Sequence, residues 1–237
     1  MKKLQKSGEL MWLFGTVFVA LGVAICSKAN LGVSMIAAPT FVVHDAVAAL
    51  FPALSVGVVE YILQGIILCI LCAAIRKVDW RFLFAFAAAV AYGYVLDLFV
   101  WLLGPAPIAS YWLQWVCLLA GDCITALGVA CFFRTYLPMQ VHELFVAQFA
   151  KRYNITIGKV KWGYDLSMLA ISVILAFTLF RDFDIMALRD GSYHSLGFGT
   201  LVTTLINSPI IALWGKCLEK LFGSAPAMPK VYRFFTK

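Results

Sequence analysis

The sequence predicts an all-α polytopic membrane protein, and three observations carry that prediction. The chain is 63% hydrophobic and only 13% charged, with a mean hydropathy of +0.91, whereas soluble domains carry about 25% charged residues. Six continuous apolar runs reach the ~20 residues a helix needs to cross a bilayer. The basic residues gather on one side of those runs, as the positive-inside rule requires. The composition excludes soluble globular, disordered, collagen-like and disulfide-framework readings. The continuity of the runs excludes a barrel, whose strands alternate in short segments. The net charge of +7 is a topology signal in such a chain, and no nucleic-acid partner is expected.

The runs fall at 9–27, 54–75, 82–103, 109–133, 160–180 and 195–221. Met1-Lys2-Lys3 before the first run resembles a signal peptide. However, no A-x-A site follows, and Ile25 before Cys26 is too bulky for a lipobox, so the run reads as the first span. Two further stretches are apolar but interrupted. Residues 31–50 hold Pro39, His44 and Asp45, and residues 137–152 hold Pro138, Gln140, His142, Glu143 and Gln148. With six spans, two re-entrant segments and both termini cytoplasmic, 16 of the 19 Lys and Arg lie inside, leaving Lys28, Arg181 and Arg189 outside. Eight spans give 12 against 7, so six are expected, in a bacterial cytoplasmic membrane.

The loop Arg181–His194, with Asp182, Asp184 and Asp190, and the neutral link Gly104-Pro105-Ala106-Pro107 are expected on the outer face. Trp12, Trp80, Trp101, Tyr111 and Trp112 at span ends read as interfacial belts. Cys26, Cys69, Cys72, Cys117, Cys123, Cys131 and Cys217 all sit in or beside apolar runs and read as small buried hydrophobes.

The chain also repeats itself. Leu13–Ala24 aligns with Leu119–Ala130 at an offset of 106, with seven identities in twelve positions, and Leu31 aligns with Leu137. Glu60 then aligns with Lys161 and Gln64 with Asp165 at an offset of 101. Each half holds three spans and one broken segment. An odd number of crossings inverts the second half, giving repeats at 1–106 and 107–222 and a cytoplasmic tail at 223–237. Inverted repeats with matching broken segments characterise many secondary transporters, whose site lies near the midplane where the halves meet.

Leu21-Gly22-Val23-Ala24, the turn Lys28-Ala29-Asn30-Leu31-Gly32-Val33-Ser34 and Gly197-Phe198-Gly199-Thr200 resemble the bacterial YczE/YitT-type integral membrane family. The resemblance implies a fold class; it implies no substrate. YitT-type members often carry a soluble C-terminal domain, and this sequence stops at Lys237.

Ionisable residues inside a bilayer are functional candidates by default. Asp122, in the middle of a span, is the expected coupling group for a proton or sodium ion, with Glu143 as a second. Gln140, His142 and Glu143 form the densest polar cluster, unless 137–152 is an amphipathic surface helix. Asn30 and Ser34 are expected to precede a short helix whose N-terminus could receive an anion. Gln64 and Asp165 are expected to face each other across the repeat axis, and Asn207 interrupts the last span beside Pro209. Glu60 and Lys161 are expected to reach for the two interfaces.

The expected function is a secondary transporter of a small polar or charged metabolite. The alternatives are a substrate-binding subunit of a multi-component importer, a membrane-embedded enzyme using His142 and Glu143, or a scaffold without a ligand. No enzyme activity, cofactor or metal is expected. The expected partners are the small-molecule substrate, a proton or sodium ion and the lipid bilayer, and a homodimer is an assembly open to the chain.

Overall fold

The computed structural model describes residues 4–48, 50–51, 53–80, 82–104, 108–180, 192–193 and 196–225. Among them lie eight helices: α1 (Gly8–Lys28), α2 (Ala38–Ala48), α3 (Val56–Ile75), α4 (Phe82–Leu103), α5 (Tyr111–Phe132), α6 (Val141–Tyr153), α7 (Ile157–Phe180) and α8 (Phe198–Leu221). All but α2 and α6 are long and apolar enough to cross a membrane. The protein is a polytopic helical membrane protein. The expected outer loop at 181–194, Pro105–Pro107, Lys2, Lys3 and the tail beyond Ala225 lie wholly or almost wholly outside the described residues.

Strand β1 (Leu4–Ser7) pairs in parallel with a strand at Phe222–Ala225. The start of α1 and the end of α8 therefore share one face, here called the near face. A two-residue hairpin pairs Ser192–Tyr193 with Leu196–Gly197, so the last helix starts three residues later than its apolar run.

Helices α1 and α5 form the centre. Half or more of each is enclosed, against a third or less of the other four long helices. Glycine permits this closeness. A Cβ on Gly22 would lie 2.5 Å from the Gly121 carbonyl oxygen, and one on Gly121 2.8 Å from the Gly22 oxygen. Gly15 likewise meets Gly128 and the Phe132 ring, while Gly121 also meets Cys26. Without a hydrophobic driving force between helices in lipid, such small-residue contacts supply the association through close packing. Around this pair, α4 packs on α1 as α8 packs on α5, and α2 and α6 each pack on both α3 and α7.

The outward faces are apolar. On α3, Ile62, Ile66 and Ile70 form an exposed i, i+4, i+8 stripe, the face a membrane helix presents to lipid. Trp80, Trp101, Tyr111 and Trp112 are exposed near helix ends. Of the seven cysteines, all unpaired, only Cys26 and Cys131 are fully buried, and Cys69 is exposed on the outside of α3. That corrects the expectation of seven buried thiols, since a lipid-facing cysteine is as compatible with an apolar run as a core one.

The two short helices account for the broken segments. At 1.5 Å per residue the 11-residue α2 is about 16 Å long, and α6 little longer, against a hydrocarbon core of about 30 Å. The peptide N–H of Val141, at the start of α6, donates to Gln64 Oε1 (3.1 Å) well inside α3, while Tyr153, at its end, donates to the Ala74 carbonyl (3.0 Å) near the end of α3. The stretch before α6 is tied to the near face: Thr135 Oγ1 donates to the Gly8 carbonyl (2.7 Å) and Trp12 Nε1 to the Pro138 carbonyl (2.9 Å). The stretch before α2 is tied to the opposite end of the bundle, where Gly199 N–H donates to the Leu31 carbonyl (2.9 Å).

Candidate functional site

The start of α6 is buried, so its unpaired N–H groups need partners from outside the helix. Its N-cap residue Gln140 makes no capping bond, and the Gln64 side chain supplies the acceptor instead. Gln64 is held in turn: its amide donates to Glu60 Oε1 (2.9 Å), one turn earlier on α3.

Glu60 is the hub. Its carboxylate accepts from Thr40 in the first turn of α2, from Gln64, and from His142 Nε2 (3.2 Å) in the first turn of α6. The first turns of both short helices thus reach one carboxylate. Each helix N-terminus carries about +0.5 charge, so the arrangement favours an anion, and Glu60 provides it. On the other side of the imidazole, His142 Nδ1 lies 2.6 Å from the Tyr164 hydroxyl on α7. When Nε2 donates to Glu60, a neutral imidazole accepts from the tyrosine at Nδ1. Thr40, Glu60, His142 and Tyr164 therefore form one hydrogen-bonded chain across α2, α3, α6 and α7.

A second group lies on α7 and α8. Lys161 donates to Asp165 one turn on, and Ser208 Oγ is 3.4 Å from the other Asp165 oxygen. Asn207, beside Ser208, donates to Asp122 Oδ1 on α5 (2.8 Å). Glu60, Gln64, Asp122, Gln140, His142, Glu143, Lys161, Asp165 and Asn207 are all under 5% exposed. Four of these are carboxylates, opposed by one lysine and a titratable histidine. Among the described residues, Glu143 Oε2, Gln140 Nε2, Asp122 Oδ2 and Asn207 Oδ1 have no hydrogen-bond partner. Buried polar atoms are nearly always paired, so these mark where something other than the protein's own side chains belongs.

Two cavities flank these helices, and one of them is lined by Tyr164 of the bonded chain. One, of about 540 Å³, opens at the face away from the near face and is lined by Lys28, Asn30, His44, Asp45 and Phe41, the residue after Thr40. The other, about 640 Å³ and largely apolar, lies between α3, α6 and α7 and is lined by Phe145, Phe149, Lys159 and Tyr164.

The expected site residues divide. Gln64 and His142 join the Glu60 chain directly, Gln140 and Glu143 lie on the same turn of α6, and Asp165, Asn207 and Asp122 form the second group. Gln64 and Asp165 do not bond each other: Gln64 bonds Glu60 and the Val141 N–H of α6, and Asp165 bonds Lys161 and Ser208. Asn30 and Ser34 stand apart. Asn30 (φ +53°) is exposed in the turn that ends α1, and Ser34 is buried with its hydroxyl 3.9 Å from Met35 Sδ. The short helix begins at Ala38, so neither is its N-cap. Gly32 (φ +99°) packs against Thr200 and Gly197, and the Ser34 carbonyl accepts from Ala37 and Ala38 N–H at the turn leading into α2.

Two expectations reverse. Glu60 and Lys161 do not reach the interfaces; they are 3% and 4% exposed, because α2 and α6 cover the faces that carry them. Thr40, Tyr164 and Ser208 were not singled out by the sequence either. The alignment of Glu60 and Gln64 with Lys161 and Asp165 was the signal that could have found the first pair. Both prove to be hydrogen-bonded i, i+4 pairs at the same place in their helices.

Residues 6–216 match the family model of DUF6198, described as a family of unknown function. The chain belongs to DUF6198. The match spans every described helix except the last residues of α8, so it covers both groups of buried polar residues. Nothing in it links the chain to the YczE/YitT-type proteins. No curated protein and no solved structure matches the chain.

Proposed function

We propose that this DUF6198 protein is a secondary transporter of a small polar metabolite, a carrier and not an enzyme. It would work by alternating access around the Glu60–His142–Tyr164 chain. The observation that carries the reading is the meeting of two short helices, one from each half, at a single buried carboxylate. In transporters with inverted repeats, broken helices of this kind aim their N-termini at the substrate site.

The inverted repeat is supported by reciprocity. Under the offset of 106, Gly15 corresponds to Gly121, Gly22 to Gly128 and Cys26 to Phe132. The contact of Gly15 with Gly128 then implies one of Gly121 with Gly22, and the contact of Gly15 with Phe132 implies one of Gly121 with Cys26. Both implied contacts occur. A pair of repeats related by a two-fold axis must pack in this self-complementary way. Re-entrance of α2 from one face and α6 from the other is supported by the ties of their leading segments to opposite ends of the bundle. The positive-inside rule then sets the near face, with both termini, toward the cytoplasm of a bacterial cell.

The cavities give the proposal its path. Tyr164, at one end of the bonded chain, lines one cavity, and Phe41 of α2 lines the other. The surplus of buried carboxylates favours a substrate with a cationic group, because an uncompensated buried charge is costly. A thermal-stability screen of the purified protein against small metabolites tests this. Amine-bearing compounds are expected to raise the melting midpoint of the wild type and to have no effect on Glu60→Gln. A screen in which no metabolite acts, or in which Glu60→Gln responds as the wild type does, contradicts it.

A further inference from the structure

The Asp122–Asn207 contact is chemically incomplete. Asn207 Nδ2 donates to Asp122 Oδ1, yet Asp122 Oδ2 and Asn207 Oδ1 have no partner among the described residues, and both side chains are at most 1% exposed. Both orphan atoms are acceptors while Asp122 is ionised, so the pair as it stands cannot satisfy them. What is missing is a donor or a cation between the two oxygens.

The surroundings extend that oxygen-rich character. Thr200, Thr203, Thr204 and Asn207 fall at i, i+3, i+4 and i+7 on α8, which is one helix face, and all are buried. The Thr203 and Thr204 hydroxyls donate to the Thr200 carbonyl, which leaves their oxygen lone pairs free to accept, and Thr200 Oγ1 is itself unpartnered among the described residues. The stripe starts within the first turn of α8, where Gly199 bonds the Leu31 turn, and ends at Asp122. Lys161 of α7, which interacts electrostatically with Asp122, is itself bonded to Asp165.

We propose that Asp122 and Asn207 hold a sodium ion between α5 and α8, reached along the threonine stripe. One carboxylate among several neutral oxygens suits a hard monovalent cation. A calcium-type site gathers several carboxylates, and among the described residues no three His, Cys, Asp or Glu side chains converge on one point. The site rests on the carrier reading in one respect: a cation joining α5 to α8, beside the Ser208–Asp165 contact, would couple ion binding to the substrate chain. Binding itself requires no transport, so the two can fail separately.

The test is the melting midpoint of the full-length purified protein in sodium, potassium or choline chloride at fixed ionic strength and pH. Because a ligand bound only by the folded state stabilises it, sodium is expected to raise the midpoint by several degrees over choline. The rise should saturate, persist in Glu60→Gln and vanish in Asp122→Asn. Asn207→Leu keeps the carboxylate but removes the amide oxygen. It is expected to weaken saturable radiolabelled-sodium binding about tenfold, the equivalent of one lost ligand contact, which keeps the proposal testable should Asp122→Asn fold poorly. Equal midpoints in sodium and choline, a sodium shift that survives in Asp122→Asn, or a midpoint that follows pH and ignores sodium would each overturn the proposal. The last result would assign the missing species as a proton. A sodium shift without any metabolite response would leave this site standing and remove the carrier reading.

Discussion

Gly22→Leu is expected to yield no monodisperse protein, and Gly22→Ala a folded protein with a clearly lower melting midpoint. A Cβ at this position would stand 2.2 Å from Thr125 Oγ1, 2.5 Å from the Gly121 carbonyl and 2.7 Å from the Thr125 nitrogen. Two of those three atoms are backbone, so no rotamer change relieves the clash and α1 must move off α5. Overpacking costs about 1–3 kcal/mol where side chains can adjust; alanine here belongs at the top of that range, and leucine beyond it. The control is Gly163→Ala, where nothing lies within 4 Å, and where the better helix propensity of alanine leaves stability equal or slightly raised. Size-exclusion profiles and thermal melts of the three variants check the prediction. Equal midpoints for Gly22→Ala and Gly163→Ala would mean that the α1–α5 contact is not the centre of the fold.

Replacing Glu60 with alanine is expected to be the most damaging single change at the site. The carboxylate is the shared acceptor of Thr40, Gln64 and His142, and its loss leaves three buried donors with no water to turn to. Leaving a buried donor unsatisfied costs about 1–3 kcal/mol, and this change leaves three. Glu60→Gln keeps the shape and one acceptor oxygen, and should retain most of the stability while losing ligand binding. Thermal or denaturant unfolding of the two variants in detergent separates these outcomes, and an alanine variant as stable as wild type would show that Glu60 does not hold the two short helices together.

The sequence makes the six long helices plain because a span announces itself through its own composition. Helices α3 and α4 begin or end within two residues of their apolar runs, since Ser55 caps α3 by accepting from Val58 N–H and Leu103 ends at the glycine–proline link. The broken segments were legible as well, from Pro39 and Pro138 and from the polar cluster at 140–143. What could not be read was which faces they cover. Glu60 sits one turn into its span and Lys161 near the start of its own, positions where a long side chain ordinarily reaches water. Only the docking of α2 and α6 buries them. Asn30 and Ser34 do precede the short helix, but in different roles: Asn30 lies in the left-handed turn after α1, and Ser34 leads into α2 with its carbonyl accepting from Ala37 and Ala38 N–H.

The claim on which the rest depends is that α2 and α6 enter from opposite faces and leave by the face they entered. Single cysteines at positions 28 and 50, flanking α2, and at 137 and 155, flanking α6, test it in a background with the native cysteines replaced. Labelling with a membrane-impermeant maleimide, in vesicles of known orientation, should modify 28 and 50 together from one side. Positions 137 and 155 should label together from the other. If the two members of either pair label from opposite sides, that helix crosses the membrane, the halves are no longer inverted three-span repeats, and the convergence on Glu60 loses its meaning as a transport site.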